Sequence, residues 1–268
     1  MRSERISIND LTSKLAVVTG VAGNLGPVWI KGLVDAGAVV VGICKPGTEI
    51  KALHDLNGLK IELLIADVCD PAGLAKSVDE IIRNYGVPHV LIANAGVDLP
   101  PIPAEAGITT DGSRSLQMVS HMIEVNLIGT LQTLEAFGPH MIQKKRGSII
   151  LIGSIYAEVS PDPTLYNHLD PPFVKHSAYG ASKAGVVSLG KQFAFKWAPF
   201  SVRVNTLSPG GVLGNQDPEF IRKYSQRVPL GRMAVREDLI GPLLFLASDA
   251  SSYVTGHNLI VDGGYTLW

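Results

Sequence analysis

Short β-branched runs alternate with segments of helical periodicity along almost the whole chain, and this alternation is the strongest constraint on its fold. Apolar runs at 15–20, 38–44, 60–66, 88–96, 147–154, 202–211 and 258–264 read as strands. Residues 27–37, 71–85, 115–142, 177–199 and 237–249 carry apolar positions at helical spacing, and 47–57 could form a shorter helix. Strand and helix in turn mean βαβ units, hence a parallel sheet covered by helices on both faces. The expected fold class is α/β, one doubly wound parallel sheet of about seven strands. In such sheets ligands lie beyond the carboxyl ends of the strands.

Composition narrows the class. The chain has 268 residues, of which 46% are apolar and 18% charged, so it can bury a large core. No shift in composition marks a linker, and residues 1–268 are read as a single dinucleotide-binding and catalytic domain. A net charge of −1 gives no general attraction to nucleic acid or to an anionic membrane. No apolar run approaches the length of a spanning helix, and the polar first 13 residues have no leader-like apolar stretch. Cys44 and Cys69 are too few for a disulfide framework or a zinc site, so they read as small hydrophobes in a reducing cytoplasm. No metal site is expected: His168, Asp170 and His176 lack ligand spacing.

Between the first strand and the first helix lies TGVAGNLG, residues 19–26. Gly20, Gly23 and Gly26, with Asn24 and Leu25, would let backbone N–H groups approach a pyrophosphate at a helix N-terminus. Thr19 can tie this turn to a neighbouring segment. In the strand–turn–helix setting, the loop predicts a nicotinamide dinucleotide. A carboxylate ending the second strand would grip the ribose 2′-hydroxyl of NAD. This chain instead has Lys45 there, with no acid before Glu49, which favours NADP with NAD as the alternative. Asp67 ends the third strand, where it could accept from an adenine amino group; Asp70 is the better cap for the helix that follows.

Tyr179 and Lys183 lie four residues apart in the segment 177–199, one turn apart on one face of a helix. An ammonium beside a phenol favours the phenolate, which makes Tyr179 a candidate general acid/base.

Taken together these residues resemble the short-chain dehydrogenase/reductase family, Tyr-x-x-x-Lys type. The Gly-rich loop, Asp67–Val68, Asn94–Ala95–Gly96, Asn126, Ser154, Tyr179 with Lys183, and Pro209–Gly210 stand in that family's order across nearly the whole chain. The resemblance implies a single Rossmann-type domain and a tetrad of Asn126, Ser154, Tyr179 and Lys183. Tyr179 would exchange a proton with the substrate oxygen, Ser154 would hydrogen-bond the same oxygen, Lys183 would hold the nicotinamide ribose, and Asn126 would hold a water linking Lys183 to solvent. It also implies cofactor contacts from Asp67, Val68, Asn94, Ala95, Gly96, Pro209, Gly210 and Val212, and a homotetramer or homodimer joined through helices 115–142 and 177–199. Asn24 departs from the family pattern, which has Gly there; Asn tolerates positive φ better than other non-Gly residues.

Ser154 and Tyr179 stand 25 positions apart. That is roughly a dozen residues more than the resemblance implies and long for a strand–helix connection. The insert 157–176, with Tyr166, Asn167, His168, Asp170 and His176, reads as a lid or specificity loop for a polyhydroxylated substrate, or as a subunit contact. Residues 211–232 form a second wall, where Asn215, Gln216 and Arg222 could meet polar groups. The insert and the carboxyl end resemble bacterial members acting on sugars, polyols and surface polysaccharides. The expected function is therefore an NAD(P)-dependent oxidoreductase for a secondary alcohol or ketone of a sugar, sugar acid or polyol. One alternative is a 3-oxoacyl carrier-protein reductase, whose acidic partner could use Arg222, Lys223, Arg227, Arg232 and Arg236. The other is a non-catalytic dinucleotide-binding regulator.

Overall fold

The structure, a computed structural model, describes residues 9–49, 61–98, 113–169 and 175–268. Most of the short helix expected at 47–57, and Asp170, lie outside them. Seven parallel strands form one sheet in the order β3-β2-β1-β4-β5-β6-β7. They are β1 (Leu15–Thr19), β2 (Val39–Cys44), β3 (Ile61–Ile65), β4 (Val90–Ala93), β5 (Gly147–Ile152), β6 (Val202–Pro209) and β7 (Asn258–Val261). The described α-helices are α1 (Gly26–Asp35), α2 (Pro71–Tyr85), α3 (Ser113–Ile123), α4 (Gly129–Lys144), α5 (Ser177–Trp197), α6 (Pro218–Arg227) and α7 (Ile240–Ala247).

The strands sort their side chains with period two, as a sheet buried on both faces requires. Ala16, Val18, Val90, Ile92, Ile150 and Ile152 pack with Trp29 and Leu33 of α1 and Leu243 and Leu246 of α7. Their neighbours Val17, Leu91, Ala93, Ile149 and Leu151 pack on the other face with α2, α4 and α5, through Leu74, Ile81, Phe137, Phe193 and Trp197. Helix starts follow local chemistry. Pro27 occupies the first turn of α1. The Asp70 carboxylate caps α2, accepting from the Ala72 N–H at 3.1 Å. The His176 Nδ1 caps α5, accepting from the Ala178 N–H at 3.1 Å.

Strand order reverses at β1, which pairs with β2 on one side and β4 on the other. The crevice between the loops leaving β1 and β4 is thus the place for a ligand. A third, smaller core closes it from above: Ile155, Leu165, Tyr166, Phe220, Tyr224, Met233 and Tyr265 pack together. The segment 211–232, read from sequence as a polar loop wall, contains helix α6. Its two buried residues, Phe220 and Tyr224, are four apart on one face.

Candidate active site

A cavity of about 950 Å³ runs along the carboxyl ends of the strands. Of the sequence-predicted residues, Gly20, Gly23, Asn24, Leu25, Lys45, Asp67, Val68, Asn94, Ala95, Gly96, Ser154, Tyr179, Lys183, Pro209, Gly210 and Val212 line it. Thr19, Gly26 and Asn126 do not line it: Thr19 and Asn126 bond to the lining residues Asn94 and Val97, and Gly26 packs against Val21.

The floor is built from backbone turns held by side chains. Gly20 has φ +67°, and a Cβ there would meet the Ala95 Cα at 2.6 Å, so the loop leaving β1 and the one leaving β4 touch only because this residue is glycine. Thr19 Oγ1 accepts from the N–H groups of Asn94 and Ala95, both at 3.1 Å. Asn94 Nδ2 donates to the Thr19 and Gly20 carbonyls at 2.9 and 3.0 Å, and its Oδ1 accepts from the Trp29 indole at 2.7 Å. Thr19 and the Asn94 side chain therefore shape the crevice rather than reach into it. Asn24 does not use the positive φ that its place in the glycine loop suggested; among the described residues outside glycine, only Ser13, Lys145 and Ser201 do. Its Oδ1 accepts from the Arg236 guanidinium at 2.7 Å, which ties the loop to the segment before α7.

Ser154 leaves the end of β5 with 6% of its surface exposed, and its Oγ accepts from the Tyr156 N–H at 3.2 Å. Tyr179 stands half-buried on the first turn of α5 and hydrogen-bonds Ser154. Lys183, one turn on, is 5% exposed; its Nζ lies 5.9 Å from the Tyr179 ring centre and donates to the Ile152 carbonyl at 2.8 Å. Burial pulls the Lys183 ammonium down to about 8, opposed by the negative charge of Asp98. Burial also pushes the Tyr179 phenol above its ordinary value, with Asp98 adding to the rise and the Ser154 hydrogen bond opposing it. The sequence had suggested a phenol lowered by its lysine. Desolvation dominates instead.

Asn126 is fully buried in a π-helical turn, Glu124–Ile128, between α3 and α4. Such single turns occur often at functional sites. Its amide accepts from the Val97 N–H at 2.7 Å and donates to the Val97 carbonyl at 2.9 Å and to Ser182 Oγ at 3.0 Å. Gly96 sits between this amide and Lys183: a Cβ there would lie 3.2 Å from Asn126 Oδ1 and 3.4 Å from Lys183 Nζ.

The residues present fit a dinucleotide. At the β2 end, Cys44, Lys45 and Thr48 line the cavity with no carboxylate among them, and the Thr48 hydroxyl is buried without a partner among the described residues. Asp67 turns one oxygen to the Cys69 N–H at 2.9 Å. Burial pushes both thiols up, Cys69 to about 11, so neither is a nucleophile at neutral pH.

Sequence reasoning missed several lining groups: Thr48, Asp98, Tyr156 and Lys175. None stands in a recognisable motif, and Asp98 and Lys175 belong to segments 77 positions apart. Other expected substrate contacts point elsewhere. Asn167 and His168 are taken by Lys223, and His168 also by Asp217, which fastens the insert to α6. Gln216 lines the cavity but folds onto the backbone of Val212 and Gly214. Arg222 pairs with Glu219 outside it. The insert is thus a wall of the cavity, contributing Tyr166 and Leu169.

The family described as enoyl-(acyl carrier protein) reductase, a short-chain dehydrogenase group, matches residues 20–266. The chain belongs to the short-chain dehydrogenase/reductase family. This short-chain dehydrogenase/reductase is an oxidoreductase. It is 31% identical to a sorbose reductase of Candida albicans over 98% of this chain and 91% of that one. It is 30% identical to an NADP-dependent mannitol dehydrogenase of Alternaria alternata over 96% of this chain and 94% of that one. Among solved structures it resembles a gluconate 5-dehydrogenase from Burkholderia cenocepacia in complex with NADP and tartrate, with TM-score 0.81, 28% identity, and 97% and 98% of the two chains covered. No helix of this short-chain dehydrogenase/reductase among the described residues is long and apolar enough to cross a membrane.

Proposed function

We propose that this enzyme interconverts a secondary alcohol and a ketone on a small sugar, polyol or sugar acid, using NADP in preference to NAD. The observation that carries the reading is the convergence of Ser154, Tyr179 and Lys183 on one wall of a cavity whose other end is shaped for a dinucleotide. The cofactor, when bound, supplies or accepts the hydride. Tyr179 then donates a proton to, or takes one from, the substrate oxygen. Ser154 hydrogen-bonds that oxygen and fixes its position as charge develops. Lys183 keeps a cation behind the phenol, and the Asn126 amide holds the 97 backbone and Ser182 so that this amine keeps its place. Substrate-free, the phenol stays protonated, which suits the acid role in ketone reduction.

Lys45 and the Thr48 hydroxyl, which has no partner among the described residues, are the groups that would meet a 2′-phosphate, and among those residues no lining carboxylate at the β2 end repels one. The relatives' names support a carbohydrate over an acyl thioester. So does the internal pairing of the basic residues that a carrier protein would need. Arg222, Arg227 and Arg232 are paired to Glu219, Asp162 and Asp238, and Lys223 and Arg236 bond within the molecule. We further propose a homodimer or homotetramer. It is supported by exposed apolar side chains on the two helices that would pair, Leu116 at 65% and Phe195 at 90%. A reducing compartment is supported by two free thiols.

The test is nicotinamide absorbance across ketoses, polyols, aldonates and an acetoacetyl thioester, with both cofactors. Turnover of a sugar or polyol with NADP(H), lost by a factor of about 10³ or more in Tyr179→Phe while cofactor affinity holds within about twofold, is the expected result. Faster turnover of the thioester, or full activity in Tyr179→Phe, would remove the reading.

A further inference from the structure

Beside Tyr179 the cavity carries a feature that proton transfer does not use. Lys175 Nζ lies 2.5 Å from an Asp98 carboxylate oxygen and over two aromatic faces, 4.8 Å from the centre of the Tyr179 ring and 5.1 Å from that of Tyr156. The lysine side chain is 14% exposed and the aspartate 41%. Both line the cavity. A cation resting on the face of Tyr179 is within one small molecule's length of any substrate whose reacting oxygen meets the phenol.

Resting on the carbohydrate reading above and narrowing it, we infer that the Asp98–Lys175 pair is a specificity determinant that favours neutral, vicinally hydroxylated substrates over their carboxylate analogues. An ammonium and a carboxylate in contact offer a donor and an acceptor side by side, which suits two neighbouring hydroxyls, each able to donate and accept. A substrate carboxylate finds the reverse. The attraction of Lys175 is already cancelled by Asp98, and Asp98 itself repels the newcomer at nearly the same distance. Among the described residues Asp217 also lines the cavity, a further carboxylate on its wall. Lys183 is turned to the Ile152 carbonyl. The rings of Tyr156 and Tyr179, 6.3 Å apart and edge to face, both lie under the Lys175 ammonium, which places the pair beside the proton donor.

The inference predicts specificity shifts of opposite sign. Asp98→Asn leaves Lys175 uncompensated and should raise the ratio of kcat/KM for gluconate to that for sorbitol or mannitol by about tenfold, the scale of one charge contact near a protein surface. Lys175→Gln leaves Asp98 uncompensated and should lower the same ratio by a similar factor. If either variant turns over too slowly, dissociation constants of gluconate and of the polyol on the cofactor-loaded protein, measured by calorimetry, carry the same ratio. A ratio unmoved in both variants, or moved in the same direction by both, overturns the inference while the carbohydrate reading stands. Wild-type protein that turns over none of the ketoses, polyols and aldonates overturns the carbohydrate reading, and this inference with it.

Discussion

Lys183 shows how much of this site is held against its own energetics. Its ammonium is almost fully enclosed, has a backbone carbonyl as its hydrogen-bond acceptor, and has no carboxylate in contact among the described residues. Burial lowers it from 10.5 to about 8, so between those values the folded protein holds fewer protons there than the unfolded chain does. Stability contributed by this group therefore rises with pH across that window, and the group is most unfavourable below about pH 8. Lys183→Met should stabilise the cofactor-free protein by about 1–2 kcal/mol at pH 7, after the lost hydrogen bond to Ile152 is allowed for. The gain should shrink as pH rises toward 10.5, and turnover should be absent. Urea unfolding at pH 7 and at pH 10 reads this directly. A variant less stable than the parent at pH 7 would mean that the hydrogen bond outweighs the desolvation.

At the scale of elements, the insert and α6 behave as one wall. Lys223, 20% exposed in its side chain, donates to the Thr164 carbonyl at 3.3 Å and Asn167 Oδ1 at 2.5 Å, and approaches His168 at 3.2 Å. Tyr224 reaches from the same helix to accept from the Gly211 N–H at 2.6 Å, which places the loop leaving β6. Lys223→Ala should loosen the insert and raise the substrate KM by about three- to tenfold, with kcat and the cofactor KM held within about twofold. Arg222→Ala, which breaks only an exposed pair with Glu219, should leave all of these unchanged and serves as the control. An equal effect from both variants would show that the insert is not held by α6. None of this was visible as spacing. In the linear chain Asn167 and His168 looked like substrate contacts; their partners lie 49 to 56 positions away.

At the scale of the whole molecule, the apolar surface on α5 is the feature that one chain leaves unexplained. Phe193 and Trp197 of that helix are buried in the core, ring centres 4.5 Å apart, whereas Phe195 between them is 90% exposed. Phe195→Glu should lower the mass in solution, measured by light scattering, to that of a single chain or of a smaller assembly, with the far-ultraviolet spectrum kept. An unchanged mass would place any subunit contact elsewhere.

The order of strands and helices, the parallel sheet, the glycine loop and the helix carrying Tyr179 and Lys183 were legible in the amino-acid sequence. Each follows from interactions between residues a few positions apart: alternating burial along a strand, one face of a helix, a turn that only glycine can make. What the sequence left open was decided by contacts across the fold. Asn94 and Thr19 became scaffold because the loops of β1 and β4 meet. Tyr179 rose rather than fell in pKa because enclosure by β5, α5 and the insert removes water, a quantity no spacing records. Asp98 and Lys175 became partners, beside the proton donor, only when segments 77 positions apart were folded to one mouth.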